Sequence, residues 1–292
     1  MNVHIASLLV VTAVWGSTFP VLKIATTSLS GFEVSSLRFM VAAVCMVPWA
    51  LRASRLAWRD GAVLGFIALV SYVAQAYGLQ TISSNRSAFL TSLNVLMVPF
   101  FGLAMGNPLS LRVVIAAFMA CAGVGLMSWE GELSYLADAA TVVGAAAYAM
   151  YVIGVSARAP HHSARHLAAT QIVCMAMMGM VLTPLAGTQT HPLATLASRL
   201  NQDAILSLVY LGVVATAGVL FLQALAQRHV SADKAAVVYA MEPVFAALFA
   251  WWWIGESLSA SAAVGGLVIV SAVLLSEWHG SADKAPDAAK AA

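Results

Sequence analysis

From residue 4 to residue 278 the chain is a succession of apolar segments, each about as long as a bilayer's hydrocarbon core is thick. A helix rises about 1.5 Å per residue, so roughly 20 mostly apolar residues cross that core. Such segments fall at 4–26, 33–51, 61–82, 86–105, 111–129, 138–157, 166–186, 204–227, 235–254 and 261–278, joined by connections too short for a separate soluble domain. The pattern predicts an all-α integral membrane protein with ten transmembrane helices. Composition agrees: 9% of residues are charged, where a soluble domain needs about 25% to cover its surface. A net charge of +2 gives nucleic acid nothing to bind. Cys45, Cys121 and Cys174 lie in apolar segments without CxxC spacing, so neither a disulfide framework nor a metal site is expected. The first segment lacks a basic leader and a small-residue cleavage site, and is read as a mature helix.

Loop charge predicts the sidedness. With both termini cytoplasmic, Arg52, Arg55, Arg59, Arg112, Arg158, Arg165, Arg228, Lys234, Lys284 and Lys290 collect inside, against Arg86 and Arg199 outside. The loop carrying His161, His162 and His166 also carries Arg158 and Arg165, and reads as a solvated basic connection. The tail 280–292 is Ala, Lys, Asp and Pro, a disordered composition.

An internal repeat sets the architecture. At a shift of 149, Gly106–Asn107–Pro108–Leu109–Ser110 faces Gly255–Glu256–Ser257–Leu258–Ser259, and Trp129 and Gly131 face Trp278 and Gly280. At 148, Gln75 faces Gln223, and near 133 Trp15–Gly16 faces Tyr148–Ala149. Each half, 1–130 and 131–279, then holds five spans, so the second enters the membrane with opposite polarity. Inverted repeats of this kind hold substrate near the midplane, between the halves.

"WGSTFPVLK" (Trp15 to Lys23), "SSLRF" (Ser35 to Phe39) and "EPVFAALFAWWWIGE" (Glu242 to Glu256) resemble signatures of the EamA-type drug/metabolite transporter superfamily, in the expected order along nearly the whole chain. Within it the chain is most similar to the YddG-type aromatic amino-acid exporters. That resemblance implies amino-acid export across a bacterial inner membrane. One departure is Asn107, opposite Glu256, where the family often repeats the glutamate.

Ionisable groups inside a membrane are costly, about 2.5–3.5 kcal/mol each at a helix centre, and so point to function. There are three: Lys23, Arg38 and Glu242. Glu242 can attract a substrate ammonium, carry a coupling proton or neutralise a neighbouring cation. Lys23 can meet a substrate carboxylate or snorkel outward, and Arg38 reads mainly as an anchor at the start of the second span. Trp15 stands mid-span while the other tryptophans sit toward span ends, so it either packs on a neighbour or walls a cavity beside Ser17 and Thr18. Ser84, Ser87, Thr91 and Asn94 share one helix face, and Thr216, Gln223 and Gln227 form a thinner stripe. Tyr148 with Tyr151, and Tyr239 with Glu242, are three apart and share faces. Pro20, Pro99 and Pro243 are expected to interrupt their helices as hinges. Gly61/Gly65 and Gly102/Gly106 have close-packing spacing.

These readings combine into a carrier with a cavity lined by spans 1, 3, 4, 6, 8 and 9, with spans 5 and 10 outside. Trp15, Tyr77, Tyr148, Tyr151 and Tyr239 would meet an apolar side chain, Asn94, Gln223 and Glu242 its polar groups, and Thr18 and Thr91 would also line the binding site. Lys23 and Arg38 are candidate charge partners. The partners are a small-molecule substrate and the lipid bilayer, with no cofactor, metal or nucleic acid, and oligomeric state left open. Two rivals stand: a carrier of organic cations, nucleosides or other metabolites, and a membrane enzyme on lipid-linked substrates. Against the enzyme, no HExxH, Walker A or GxSxG pattern occurs.

Overall fold

The protein is seen as a computed structural model, which describes residues 3–25, 28–29, 31–79, 81–82, 87, 90–106, 110–128, 134–185, 196–249, 251–252 and 259–277. Every regular element among these residues is helical. In chain order they are α1 (Val3–Ala25), α2 (Gly31–Ala50), α3 (Arg55–Leu79), α4 (Asn94–Ala104), α5 (Leu111–Ser128), α6 (Tyr135–Arg158) and α7 (Ala164–Leu185). After the single turn Leu196–Arg199 comes α8, built of Gln202–Val209, a π-helical Tyr210–Gly218 and Val219–Ala226. The chain closes with α9 (Ala232–Tyr239), α10 (Glu242–Phe249) and α11 (Ala260–Glu277). Among the described residues, five stretches are long and apolar enough to cross a membrane: Glu33–Ala50, Arg55–Gln75, Tyr135–His161, Ala164–Val181 and Gln202–Ala226. Shorter apolar helices occupy Val3–Thr18, Leu90–Ala104, Leu111–Leu126 and Ala260–Ser276.

Two elements depart from the hydropathy pattern for local reasons. α3 begins at Arg55, well before its apolar run, because the Ser54 hydroxyl caps the Ala57 amide at 3.2 Å. The ninth apolar segment is two helices, α9 and α10, broken at Ala240 and Met241. Pro243 has no amide hydrogen to donate back to Tyr239, so it suits the first turn of a new helix and not the middle of an old one. The expected interruptions at the other two prolines are absent. α4 runs through Pro99, and α1 stays helical across residue 20. Side-chain placement of Pro20 and Lys23 lies outside the described residues, as do Ser84, Asn107, Glu256 and the tail 280–292.

Packing is close wherever glycine permits it. A Cβ on Gly61 would collide with the Thr170 hydroxyl and stand 2.9 Å from the Gln171 amide nitrogen, and one on Gly65 would stand 2.7 Å from the Gln171 carbonyl oxygen. α3 therefore meets α7 backbone to backbone. Replacing Gly61 with valine is expected to lower stability by about 1–3 kcal/mol, read as a fall in thermal midpoint in detergent. Gly106 plays a different part from the one its spacing suggests. Its φ of +86° ends α4 in the left-handed region, and a Cβ there would touch no described residue.

The helices pair in a regular way. α5 lies along α11, α2 along α7 and α4 along α9, while α3 packs on α6 and α7 and α8 packs on α1 and α2. α6 also touches α4, as α1 touches α9 and α10. Moving each helix to its counterpart five spans along returns these principal pairs. Polar ties pin both ends. At one, Glu33 accepts from Arg199 at 2.6 and 2.9 Å, and Asn201 donates to the Ser28 hydroxyl at 3.1 Å. At the other, Asp60 meets His162 at 2.8 Å and Arg158 at 3.7 Å. His162 is only 8% exposed, so the histidine loop is not simply solvated: one of its rings closes the α3–α7 junction.

Candidate functional site

The site grows from the places where these helices cross. α1 contributes Trp15, and the adjacent Gly16 brings α10 against α1: a Cβ on Gly16 would lie 2.7 Å from Phe245 Cβ and 2.8 Å from the Ala246 nitrogen. α9 contributes Tyr239, on the last turn before the break, and the break delivers Glu242 as the first residue of α10. α6 contributes Tyr148 and Tyr151, one helical turn apart.

These rings form one aromatic cluster. The Trp15 ring is 5.4 Å from Tyr239 and 6.1 Å from Tyr148, both edge to face. Tyr148 lies 5.8 Å from Tyr151 and 6.3 Å from Tyr239. Such pairs are worth about 0.5–1.5 kcal/mol beyond their buried area. Trp15 is 8% exposed, and the Thr18 hydroxyl is turned back to the Trp15 carbonyl at 2.7 Å.

Glutamines order the tyrosine tips. Tyr151 donates to Gln171 Oε1 at 3.2 Å, and Tyr239 to Gln227 Oε1 at 3.4 Å. Gln227 in turn donates to the Val152 carbonyl and the Ser156 hydroxyl at 3.0 and 2.8 Å. Across the seam, Gln75 donates to Thr91 at 3.2 Å, and Asn94 to the Thr91 carbonyl at 2.7 Å. Several enclosed polar atoms lack a protein partner among the described residues: Tyr148 Oη, Gln171 Nε2, Asn94 Oδ1, Ser87 Oγ and both amide atoms of Gln223. Gln223 lies beside the Tyr239 hydroxyl without hydrogen-bond geometry. A buried orphan of this kind costs about 1–3 kcal/mol, so those beside the aromatic cluster, Tyr148 Oη and the Gln223 amide, mark where a polar ligand can bond.

Two charges complete the region. Glu242 is half-buried and forms no hydrogen bond or ion pair with a described residue, yet it acts electrostatically on both Tyr72 and Tyr148. Arg38, read from the sequence as an anchor, is 6% exposed. Its Nε donates to Thr216 Oγ1 at 3.0 Å and its Nη2 to the Ala215 carbonyl at 3.2 Å. Both acceptors belong to the π-helical part of α8, where Thr216 bonds the Leu211 carbonyl five residues back at 2.7 Å. The widened turn is what presents these acceptors sideways, and π-segments are common at functional positions.

Trp15, Tyr148, Tyr151, Tyr239, Gln223 and Glu242 are thus brought together, with Thr91 and Asn94 on the α4 side. Tyr77 is not: it is 42% exposed. It lies on α3 next to Gly78, whose face packs on Thr141 of α6, and five residues from Tyr72, about 140° around the helix. Tyr72 takes the inward position, 5.3 Å from the Phe39 ring and 5.7 Å from the Arg38 guanidinium. Sequence reasoning missed Tyr72 and Gln171. The three-residue spacing of Tyr72 with Gln75 was the signal that could have found the first. No group of three or more histidine, cysteine or acidic residues among the described ones can hold a metal.

Comparisons with known proteins place the chain as a whole. The profile of the EamA-like transporter family matches residues 3–129 and again 136–278. An uncharacterized transporter of Archaeoglobus fulgidus is 26% identical over 271 residues, covering 92% of this chain and 83% of the relative. A second one from the same organism is 24% identical over 279 residues, 90% of this chain and 93% of the relative. A protein crystal structure superposes with a TM-score of 0.72 at 16% identity, covering 93% of this chain and 96% of that one, a likeness of fold alone.

Proposed function

This chain belongs to the EamA-like transporter family, and we propose that within it the protein is a secondary carrier exporting aromatic and other neutral amino acids. A membrane-embedded transporter, with relatives that are also transporters, is not an enzyme. The observation that carries the substrate reading is the cluster of Trp15, Tyr148 and Tyr239 beside the carboxylate of Glu242, which has no ion-pair partner among the described residues. Aromatic walls suit an apolar or aromatic side chain, and a carboxylate at its edge suits an ammonium.

Alternating access follows from two inverted five-helix repeats, 1–130 and 131–279, with 280–292 as a cytoplasmic tail. The two family matches and the exchangeable helix pairs support that division. So does a polar detail: Gln75 on Thr91 in one half has as its counterpart, 148 residues on, Gln223 beside Tyr239. Trp15 and Tyr148, counterparts near a shift of 133, meet each other across the seam. Rocking one half against the other would expose that seam to each side in turn, driven by the substrate gradient. Both termini face the cytoplasm of a bacterial inner membrane in this reading, following the arginine asymmetry.

The test is uptake of labelled phenylalanine or tryptophan by purified protein in liposomes, with competition by other amino acids. Saturable uptake with that competition is expected. Transport of organic cations or nucleosides with no uptake of any amino acid would replace this reading by the rival one.

A further inference from the structure

We infer that Arg38 is the carboxylate anchor of the carrier, and that with Glu242 it selects substrates bearing both a carboxylate and an ammonium. This inference rests on the amino-acid reading and adds to it the residue that meets the acid end. Arg38 sits deep in the helix bundle, yet it faces no carboxylate among the described residues. Two of its nitrogens are committed to Thr216 and Ala215, and its charge lies 5.7 Å from each of the Phe39 and Tyr72 rings. Nη1 has no partner among the described residues and is not among the fully enclosed polar atoms, so this edge of the guanidinium is the one left for a ligand to meet.

A buried cation held by neutral groups alone is unfavourable. The arrangement makes sense when an anion completes it for part of the cycle. Fixing two nitrogens on the π-helical segment holds the planar fork in place and leaves one edge to bind. Glu242 is the complementary case, a half-buried carboxylate that meets no cation among the described residues. Tyr72 lies next to the Arg38 guanidinium and within electrostatic reach of Glu242. Two unneutralised opposite charges sharing one tyrosine neighbour, next to an aromatic wall, match a small zwitterion. An amine without an acid, or an acid without an amine, would leave one of them unmet.

The experiment is calorimetric titration of purified protein with three ligands. These are phenylalanine, phenylalaninamide (ammonium but no carboxylate) and 3-phenylpropionate (carboxylate but no ammonium). Arg38→Gln is expected to weaken phenylalanine by on the order of 30-fold and to abolish 3-phenylpropionate binding. Phenylalaninamide should change by no more than about threefold, since it never used the guanidinium. Arg38→Lys keeps the charge and loses the fork, so it should fall between the two. Because Arg38→Gln also loses the bonds to α8 and could unfold, the unaltered chain supplies an independent reading: it should prefer phenylalanine to phenylalaninamide by a similar factor. Equal affinity of the unaltered chain for those two, or equal loss of both in a folded Arg38→Gln protein, would overturn the assignment. If the unaltered chain binds no amino acid, the amino-acid reading fails on its own. Arg38 as an anion anchor is then upheld by 3-phenylpropionate binding that Arg38→Gln removes, and overturned by its absence.

Discussion

Liposomes carrying the Glu242→Gln protein are expected to take up phenylalanine about 30-fold more slowly than those carrying the native chain. Glutamine keeps the shape of the side chain and the helix start ahead of Pro243, so the change removes charge and little else. A charge-assisted hydrogen bond is worth about 1.5–3 kcal/mol, or roughly 10- to 150-fold. Glu242→Asp keeps the charge on a shorter arm and should retain part of the rate. No described cation relies on Glu242, so neutralising it strands no partner, and the thermal midpoint in detergent should hold or rise. The measurement is the initial uptake rate at matched protein content. A native rate in the glutamine variant would remove Glu242 from the site.

The second large effect is expected at Gly16. The α1 and α10 backbones approach there until a Cβ would stand 2.8 Å from the Ala246 nitrogen. Backbone cannot step aside as the tip of a long side chain can. Even Gly16→Ala must push the helices apart, and Gly16→Val should cost about 1–3 kcal/mol in stability. The same displacement moves Trp15 away from α10, which starts at Glu242. Transport should therefore fall further than stability alone explains, measured as uptake per folded protein alongside the thermal midpoint. A Gly16→Ala protein with native midpoint and native uptake would show that the close approach is dispensable.

What the sequence made legible, and what it did not, divides along physical lines. Helix positions followed from hydropathy because a membrane demands apolar length, and most ends lie within a few residues of expectation. α3 started early because Ser54 caps polar turns that hydropathy does not count. The Trp15–Tyr148 contact was legible as a pair, since an internal repeat placed the two at corresponding positions. Tyr77 and Tyr72 could not be ranked, because choosing between two tyrosines on one apolar helix requires knowing which face meets α6. Arg38 was read as an anchor near a span end. Only the π-helical stretch of α8, which has no sequence signature, shows that its guanidinium is docked deep within the bundle. His162 is the converse case: a loop histidine that looked solvated is buried by a partner, Asp60, that lies 102 residues away in the chain.

In the proposed carrier, substrate sits in the seam of Trp15, Tyr148, Tyr239 and Glu242. Equilibrium binding of labelled tryptophan to purified protein tests it most directly, comparing the native chain with Tyr148→Leu and Tyr77→Ala. Saturable binding displaced by phenylalanine is expected, lost in Tyr148→Leu and intact in Tyr77→Ala. Binding that survives Tyr148→Leu and disappears in Tyr77→Ala would contradict it.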